Sequence, residues 1–249
     1  TVDRIDYSSD TGTTPTKGPL NTPTGYTRGT GNLSYGYVGG GYAPTISTVQ
    51  RIDYSNDTAT AATKGPLSTS AWGMGSVSSA SGYGYYAGGG SGGSGSIVNR
   101  IEFANDTATG LARANMSTQT GKVNGVSAQN YGMSAPTPVI AAPVQPPFPY
   151  PQQLYNPATN KQYGYVGGGA YPNKSSVDRI DFTNDTATAT PKGSLTATKY
   201  RRTGTGNSNY GYIGGGRPGP ISIIDRIDYS NDSATATAKG PLSQARTFG

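Results

Sequence analysis

Residues 51–67 read RIDYSNDTATAATKGPL, and the stretch returns as RIDFTNDTATATPKGSL from Arg179 and as RIDYSNDSATATAKGPL from Arg226. The R-I-[DE] unit that opens it stands at Arg4, Arg51, Arg100, Arg179 and Arg226, at spacings of 47, 49, 79 and 47 residues. A second unit, Y-G-Y-x-G-G-G, starts at Tyr35, Tyr83, Tyr163 and Tyr210, with one extra Tyr in the copy YGYYAGGG. The distance from Arg to the next such Tyr is 31, 32 and 31 residues where both units are clear. Counting 31 on from Arg100 reaches Tyr131, in NYGMSA, yet the full YGYVGGG waits until Tyr163. One repeat of 47–49 residues is therefore interrupted by a long insertion, and self-similarity at such a period marks a repeat architecture.

Each period holds four expected strands. YGYVGGG alternates Tyr and Gly before it breaks in glycines, a period-2 pattern rich in aromatics. TVDRIDY alternates too, with Val2, Arg4 and Asp6 on one face and Asp3, Ile5 and Tyr7 on the other. SNDT is turn chemistry, since Asn and Asp bond their own backbone and tolerate left-handed φ. TATATxKGPL reads as a Thr-rich strand ending in a Gly-Pro turn. The remaining strand is the variable stretch leading into TGN, as in residues 21–32 and 196–207. Four short strands per period predict a β-propeller, because one such sheet cannot bury its faces alone but neighbours stacked about an axis can. The opening stretch is then one blade's third and fourth strands with their hairpin.

Composition points the same way. Only 33% of the 249 residues are hydrophobic, with 38 Gly and 18 Pro, too little Leu and Ile for a large conventional core; 19 Tyr argue against disorder. There is no Cys, hence no disulfide framework, and no His, hence neither the usual general base nor the commonest metal ligand. Net charge is +6, but Lys and Arg are scattered, with Arg201–Arg202 their only adjacent pair. That is a solvated surface, with no nucleic-acid partner expected. No apolar run reaches the ~18 residues of a membrane span, so no membrane partner is expected either. The chain opens on Thr1 inside a repeat, as a processed chain or a piece of a longer polypeptide would.

YGYVGGG followed by STVQRIDYSNDTAT resembles the kelch repeat, with its diglycine after a Tyr-bearing strand and its hairpin, over nearly the whole chain except about residues 133–160. One departure is plain: kelch blades usually carry a Trp after the hairpin, and Thr and Ala stand there in these copies. The fuller pattern DRIDYSNDTATA…KGPLS…TGNSNYGYxGGG is similar to repeats in tail-fibre-like and other virion-associated proteins of marine phages, cyanophages especially. The expected fold is all-β, a kelch-like β-propeller of about five four-stranded blades, the first entered mid-blade. Residues 1–132 carry blades, 133–162 a Pro-rich insertion and 163–249 the remaining blades.

Among the repeated residues, Arg4, Arg51, Arg100, Arg179 and Arg226 read either as an anion-binding ring or as structural ion pairs. The second is preferred, since buried charge must be paired. The partner is the acid two residues on (Asp6, Asp53, Glu102, Asp181 or Asp228) or an acid of the neighbouring blade. The [DE]-x-[STA]-x-D runs place hard oxygen donors at alternate positions, like half a calcium loop, but lack the Gly and distal Glu of an EF-hand. They read as hairpin turns, and no cofactor is assigned. SSDTGTT from Ser8 resembles the Asp-box of sialidase propellers, itself a turn element that implies no activity. The Y-G-Y tyrosines could stack on sugars; recurring in every blade, they read as packing between blades.

Repeated residues serve the scaffold, and irregular loops carry function. The binding candidates are therefore Phe148, Tyr150 and Tyr155 in the insertion APTPVIAAPVQPPFPYPQQLYNPATNKQ (residues 135–162), together with the lone Trp72 and the loop of residues 88–96. The insertion should be extended and PPII-like. The sum is a non-enzymatic structural or binding protein. The resemblance implies a phage virion or tail-appendage component whose loops meet other subunits, itself among them, or a host-surface glycan. A subunit of a bacterial extracellular or cell-surface filament is the alternative. A glycan-binding or glycan-cleaving propeller comes third: copper chemistry would want imidazoles, and hydrolysis a carboxylate pair, whereas most acids here sit in the repeated hairpins.

Overall fold

The structure, a computed structural model, describes residues 2–6, 12–90, 95–127 and 162–247. It is all-β, with four antiparallel four-stranded sheets in a propeller-like arrangement. A two-stranded ladder comes first, β1 (Val2–Asp3) with β2 (Thr16–Lys17). Sheet I is β3 (Arg28–Gly31), β4 (Tyr35–Gly41), β5 (Ile46–Asp53) and β6 (Ala62–Lys64). Sheet II is β7 (Gly75–Ser78), β8 (Tyr83–Ala87), β9 (Gly95–Glu102) and β10 (Leu111–Thr120). Sheet III is β11 (Asn124–Ser127), β12 (Tyr163–Gly167), β13 (Val177–Asp181) and β14 (Thr190–Lys192). Sheet IV is β15 (Thr203–Gly206), β16 (Tyr210–Gly214), β17 (Ile224–Asp228) and β18 (Thr237–Lys239).

Of the about five expected blades, four are complete four-stranded sheets, and the one expected to be entered mid-blade is the two-stranded ladder. β1 and β2 occupy the third and fourth strand positions of a sheet, and no first and second strands accompany them among the described residues. In every sheet the strands follow chain order, so each is a meander. The insertion falls between the first and second strands of sheet III; most of it, with the expected strand at Tyr131, lies outside the described residues.

The register repeats. Tyr37 stands opposite Arg51, Tyr85 opposite Arg100, Tyr165 opposite Arg179 and Tyr212 opposite Arg226. Opposed residues share a face, and so does the residue two further along a strand. Lys64 is two residues beyond Ala62, which pairs with Arg51, so Tyr37, Arg51 and Lys64 all project toward sheet II. Local chemistry fixes the turns. Asn32 Oδ1 accepts from the backbone of Ser34 and Tyr35, both at 2.9 Å, and Asn207 does the same for Asn209 and Tyr210. These Asx turns join the first and second strands. Asp53 caps the 3-10 turn Tyr54–Asn56 by accepting from Ser55 N at 2.9 Å and Ser55 Oγ at 2.6 Å. That turn shortens the Thr-rich strand: β6, β14 and β18 hold 3 residues each, because the Ala59 N to Asn56 O bond keeps residues 57–59 in the turn.

The core lies between sheets. Tyr37, Val49, Leu67, Met74, Tyr86 and Ile101 fill the junction of sheets I and II. Equivalent sets join II to III around Tyr85 and Phe182, and III to IV around Tyr165 and Tyr229. The innermost strands pack in sequence, β3 on β7, β7 on β11 and β11 on β15.

Candidate functional site

The repeated residues build the junctions. Asp106 of sheet II receives Arg51 at 2.7 Å, the Tyr37 hydroxyl at 3.0 Å and Lys64 at 3.2 Å, all from sheet I. Asp185 of sheet III receives Arg100 at 2.8 Å, Tyr85 at 2.9 Å and Arg113 at 2.8 Å. Asp232 of sheet IV receives Arg179 at 2.9 Å, Tyr165 at 2.8 Å and Lys192 at 3.1 Å. Arg4 and Lys17 hold Asp57 the same way, at 2.9 and 3.1 Å. Of the two partners expected for the arginines, it is the neighbouring sheet that supplies the acid. Asp53, Asp181 and Asp228 instead cap their own turns through Ser55, Thr183 and Ser230. Glu102 makes no such cap, and Asp6 lies exposed beside the ladder. Arg226 stacks on Tyr210 at 4.3 Å, and among the described residues no carboxylate pairs with it.

Each first Tyr of Y-G-Y lies under its sheet's arginine, and in sheets I to III the second one stacks on an aromatic of the next sheet. The Tyr37–Phe103, Tyr85–Phe182 and Tyr165–Tyr229 centroids are 4.9, 4.8 and 4.9 Å apart. Burial alone would raise the Asp106, Asp185 and Asp232 carboxyls, but the cation and tyrosine donors together outweigh it and hold them below the usual carboxylate range. Burial first, and then the carboxylate each faces, pushes the Tyr37, Tyr85 and Tyr165 hydroxyls well above their ordinary value. These carboxylates already face two cations each, which opposes a bound divalent ion.

Non-repeating chemistry gathers elsewhere, on the loops that lead into the innermost strands. Gly25, Trp72, Gly121 and Tyr200 each form a single bridge to the second turn of their sheet. The next residue is left-handed in all four: Tyr26 (φ 56°), Gly73 (67°), Lys122 (55°) and Arg201 (55°). Three of the four are not glycine, although this conformation costs an L-residue of order 1 kcal/mol or more. The loops touch in a circuit: Gly73 N donates to Tyr26 O, Val123 N to Gly73 O, Arg201 N to Lys122 O, and the Arg201 guanidinium to the Tyr26 hydroxyl at 3.0 Å.

The side chains converge on Trp72. Its ring lies 4.9 Å from Tyr42 and 5.5 Å from Tyr26, which is itself 6.0 Å from Tyr42. Lys122 Nζ sits 5.3 Å over Trp72, 4.3 Å over Tyr171 and 5.4 Å over Tyr200, and hydrogen-bonds the Tyr171 hydroxyl. The Arg201 guanidinium lies 5.0 Å over Tyr26. Tyr26, Tyr42 and Tyr171 remain 38%, 47% and 58% exposed, while Trp72 and Lys122 are largely buried beneath them. The result is an exposed aromatic surface held by cation–π contacts, able to stack on a flat apolar ligand face and to attract an anion.

Of the sequence candidates, Trp72 is therefore central to the site. Phe148, Tyr150 and Tyr155 lie outside the described residues, as does part of the loop of residues 88–96. Tyr26, Tyr42, Lys122, Tyr171, Tyr200 and Arg201 were not singled out by the sequence. Their signal was phase: positions 26, 73, 122 and 201 follow one another at the spacings of the R-I-[DE] arginines. Arg201–Arg202 divides its labour, Arg201 facing this surface and Arg202 forming an ion pair with Asp225 at 2.7 Å, both almost fully buried.

Fold and site together define an all-β, propeller-like repeat scaffold with an aromatic–cationic surface where its lead-in loops meet. No protein-family model matches the sequence, and no curated protein matches it either.

Proposed function

We propose that this chain is a non-enzymatic kelch-like β-propeller of a phage virion or tail appendage, and that its lead-in surface binds an acidic host-surface glycan. The virion assignment rests on the likeness of its repeats to those of marine-phage appendage proteins. The binding assignment rests on one observation: the Trp72 cluster puts exposed rings, the buried Lys122 and the half-buried Arg201, different in every sheet, on positions the scaffold would otherwise fill alike. Pyranose rings present apolar C–H faces to aromatic side chains, and uronate or sulfate groups answer Lys122 and Arg201. The repeated carboxylates are occupied by ion pairs, which supports a binding rather than a hydrolytic role.

Two measurements test this. Calorimetric titration should show binding to alginate, a polyuronate, and not to neutral dextran, with affinity falling as salt rises. Tyr42→Ala and Tyr171→Ala, at exposed rings, should each weaken it roughly tenfold, about 1.4 kcal/mol, without loss of fold. Equal affinity for both polymers, or none, overturns the glycan reading. Mass spectrometry of purified particles and of sheared surface fibres should find the peptide IDYSNDTATAATK in the particles; its presence in fibres alone favours the bacterial-filament alternative.

A further inference from the structure

We propose that Arg28 makes the ring of lead-in loops an oxyanion site, one that takes the carboxylate or sulfate group of an acidic ligand. For a polymeric ligand the inference rests on the glycan reading and names the residue that reads its charge; for the anion itself it stands apart.

Charge is one-sided on this face. The four lead-in loops, residues 24–28, 71–75, 120–124 and 199–203, hold Arg28, Lys122, Lys199, Arg201 and Arg202. None of the protein's 13 Asp and Glu falls in them, nor in the turns of residues 40–46, 168–176 and 215–223 that bridge to them. Four of the five cations already have their partners. Arg202 is paired with Asp225. Lys122 is enclosed by rings, and Arg201 lies over Tyr26 while bonding its hydroxyl. Lys199 Nζ donates to Pro218 O at 3.0 Å on the exposed rim.

Arg28 differs. It opens β3, and the residues that open β7, β11 and β15 are Gly75, Asn124 and Thr203, so the repeat requires no charge there. Its half-buried side chain reaches past sheet II: Nη2 donates to Val123 O, just before β11, at 3.3 Å, and Nη1 to Thr27 O at 3.0 Å. The guanidinium therefore spans the ring from the Tyr26 loop to the Lys122 loop. Both acceptors are neutral carbonyls, which leaves most of its five N–H donors unused. Among the described residues no carboxylate and no aromatic ring meets it, and its Nε has no hydrogen-bond partner. Asn124, next to the Val123 carbonyl in the chain and 7% exposed, likewise has an Nδ2 without a partner. Burial lowers the Arg28 pKa, and no carboxylate opposes the shift. A partly buried cation that the chain leaves uncompensated is completed by an anionic ligand. The planar fork of a guanidinium matches two oxygens of a carboxylate or sulfate. Tyr26, two residues before Arg28, is one of the exposed rings, which puts a stacking face and the charge on one loop.

The test reads free and polymer-borne anions separately, on the unaltered protein and on Arg28→Gln, which keeps a donor for the Val123 carbonyl. Melting temperature is followed against sodium sulfate, with sodium chloride balancing ionic strength. Sulfate stabilises folded proteins generally by exclusion from their surface, so the quantity read is the difference between the two proteins: a saturable rise in the unaltered protein that Arg28→Gln lacks. Calorimetric titration with alginate should give a Kd about tenfold weaker for Arg28→Gln, with Arg28→Lys, which keeps the charge and loses the fork, in between. Sulfate should also compete with alginate on the unaltered protein more than chloride of equal ionic strength does, which keeps the proposal testable if the variants fold poorly. A sulfate difference without alginate binding supports the site with a free ion as its ligand and overturns the glycan reading alone. No difference between the proteins with either probe overturns the Arg28 site, and alginate bound equally by all of them then leaves the glycan reading standing.

Discussion

Asp185 accepts from Tyr85, Arg100 and Arg113 while only 5% exposed, so its loss strands two guanidinium groups at a buried junction. Asp185→Ala is expected to destabilise the protein by about 3 kcal/mol, since removing one partner of a buried pair leaves uncompensated charge. Urea unfolding followed by circular dichroism measures it, with Asp53→Ala, which removes only a turn cap, as the comparison with a clearly smaller loss. Equal losses at both positions would contradict the clamp. That Arg4, Arg51, Arg100 and Arg179 are paired was legible in the sequence, because every copy carries both charges. Which acid pairs with them was not. Alternation puts Asp53 on the face of Arg51, and only the docked sheets reveal that Asp53 is held by Ser55 while Asp106 arrives from the next sheet.

At the scale of the strand and its turn, the Lys-Gly of K-G-[PS]-L reads as one device. The lysine side chain takes the next sheet's aspartate, and the glycine N–H donates to that residue's carbonyl, for Gly65 to Asp106 and for Gly193 to Asp232. A Cβ at Gly65 would overlap the Ala108 carbonyl, and one at Gly193 the Ala234 carbonyl, whereas one at Gly240 would meet nothing within 4 Å. Gly65→Ala and Gly193→Ala are therefore expected to cost about 1–3 kcal/mol by overpacking, and Gly240→Ala close to nothing, although all three occupy one position of the repeat. Thermal unfolding of the three variants decides it; a comparable loss at Gly240 would mean that something covers that face in solution. Sequence pattern identified the second and third strands because Y-G-Y and R-I-D alternate, and it placed the hairpin because Asn and Asp mark turns. It overextended the fourth strand, since β-branched threonine reads as strand even where an Asp-capped turn holds the backbone. It missed the lead-in surface because Tyr26, Lys122 and Arg201 share a backbone conformation rather than a chemistry, and only position in the repeat unites them.

Across the whole molecule the same groups titrate at every junction, so pH acts on all of them together. Asp57, Asp106, Asp185 and Asp232 are held below the ordinary value of 3.8, so the unfolded chain binds protons more readily than the folded one. Their contribution is complete above that value and is lost as pH falls through the folded ones. Asp178, raised by burial, runs the other way and blunts this acid limb. Tyr37, Tyr85, Tyr86, Tyr165 and Tyr229 are all raised above 10.0, so the unfolded chain ionises first and their contribution is lost as pH climbs beyond about 10. With no histidine, no side chain with an ordinary pKa titrates between about pH 5 and 8. The expected melting-temperature profile is thus a plateau through neutrality with one fall below about pH 4 and another above about pH 10. Tyrosinate absorbance should rise together with loss of the strand signal on the alkaline side, because the buried rings ionise only as the junctions open. A neutral-range slope, or tyrosinate appearing while the sheets persist, would show that these hydroxyls are not sealed between the sheets.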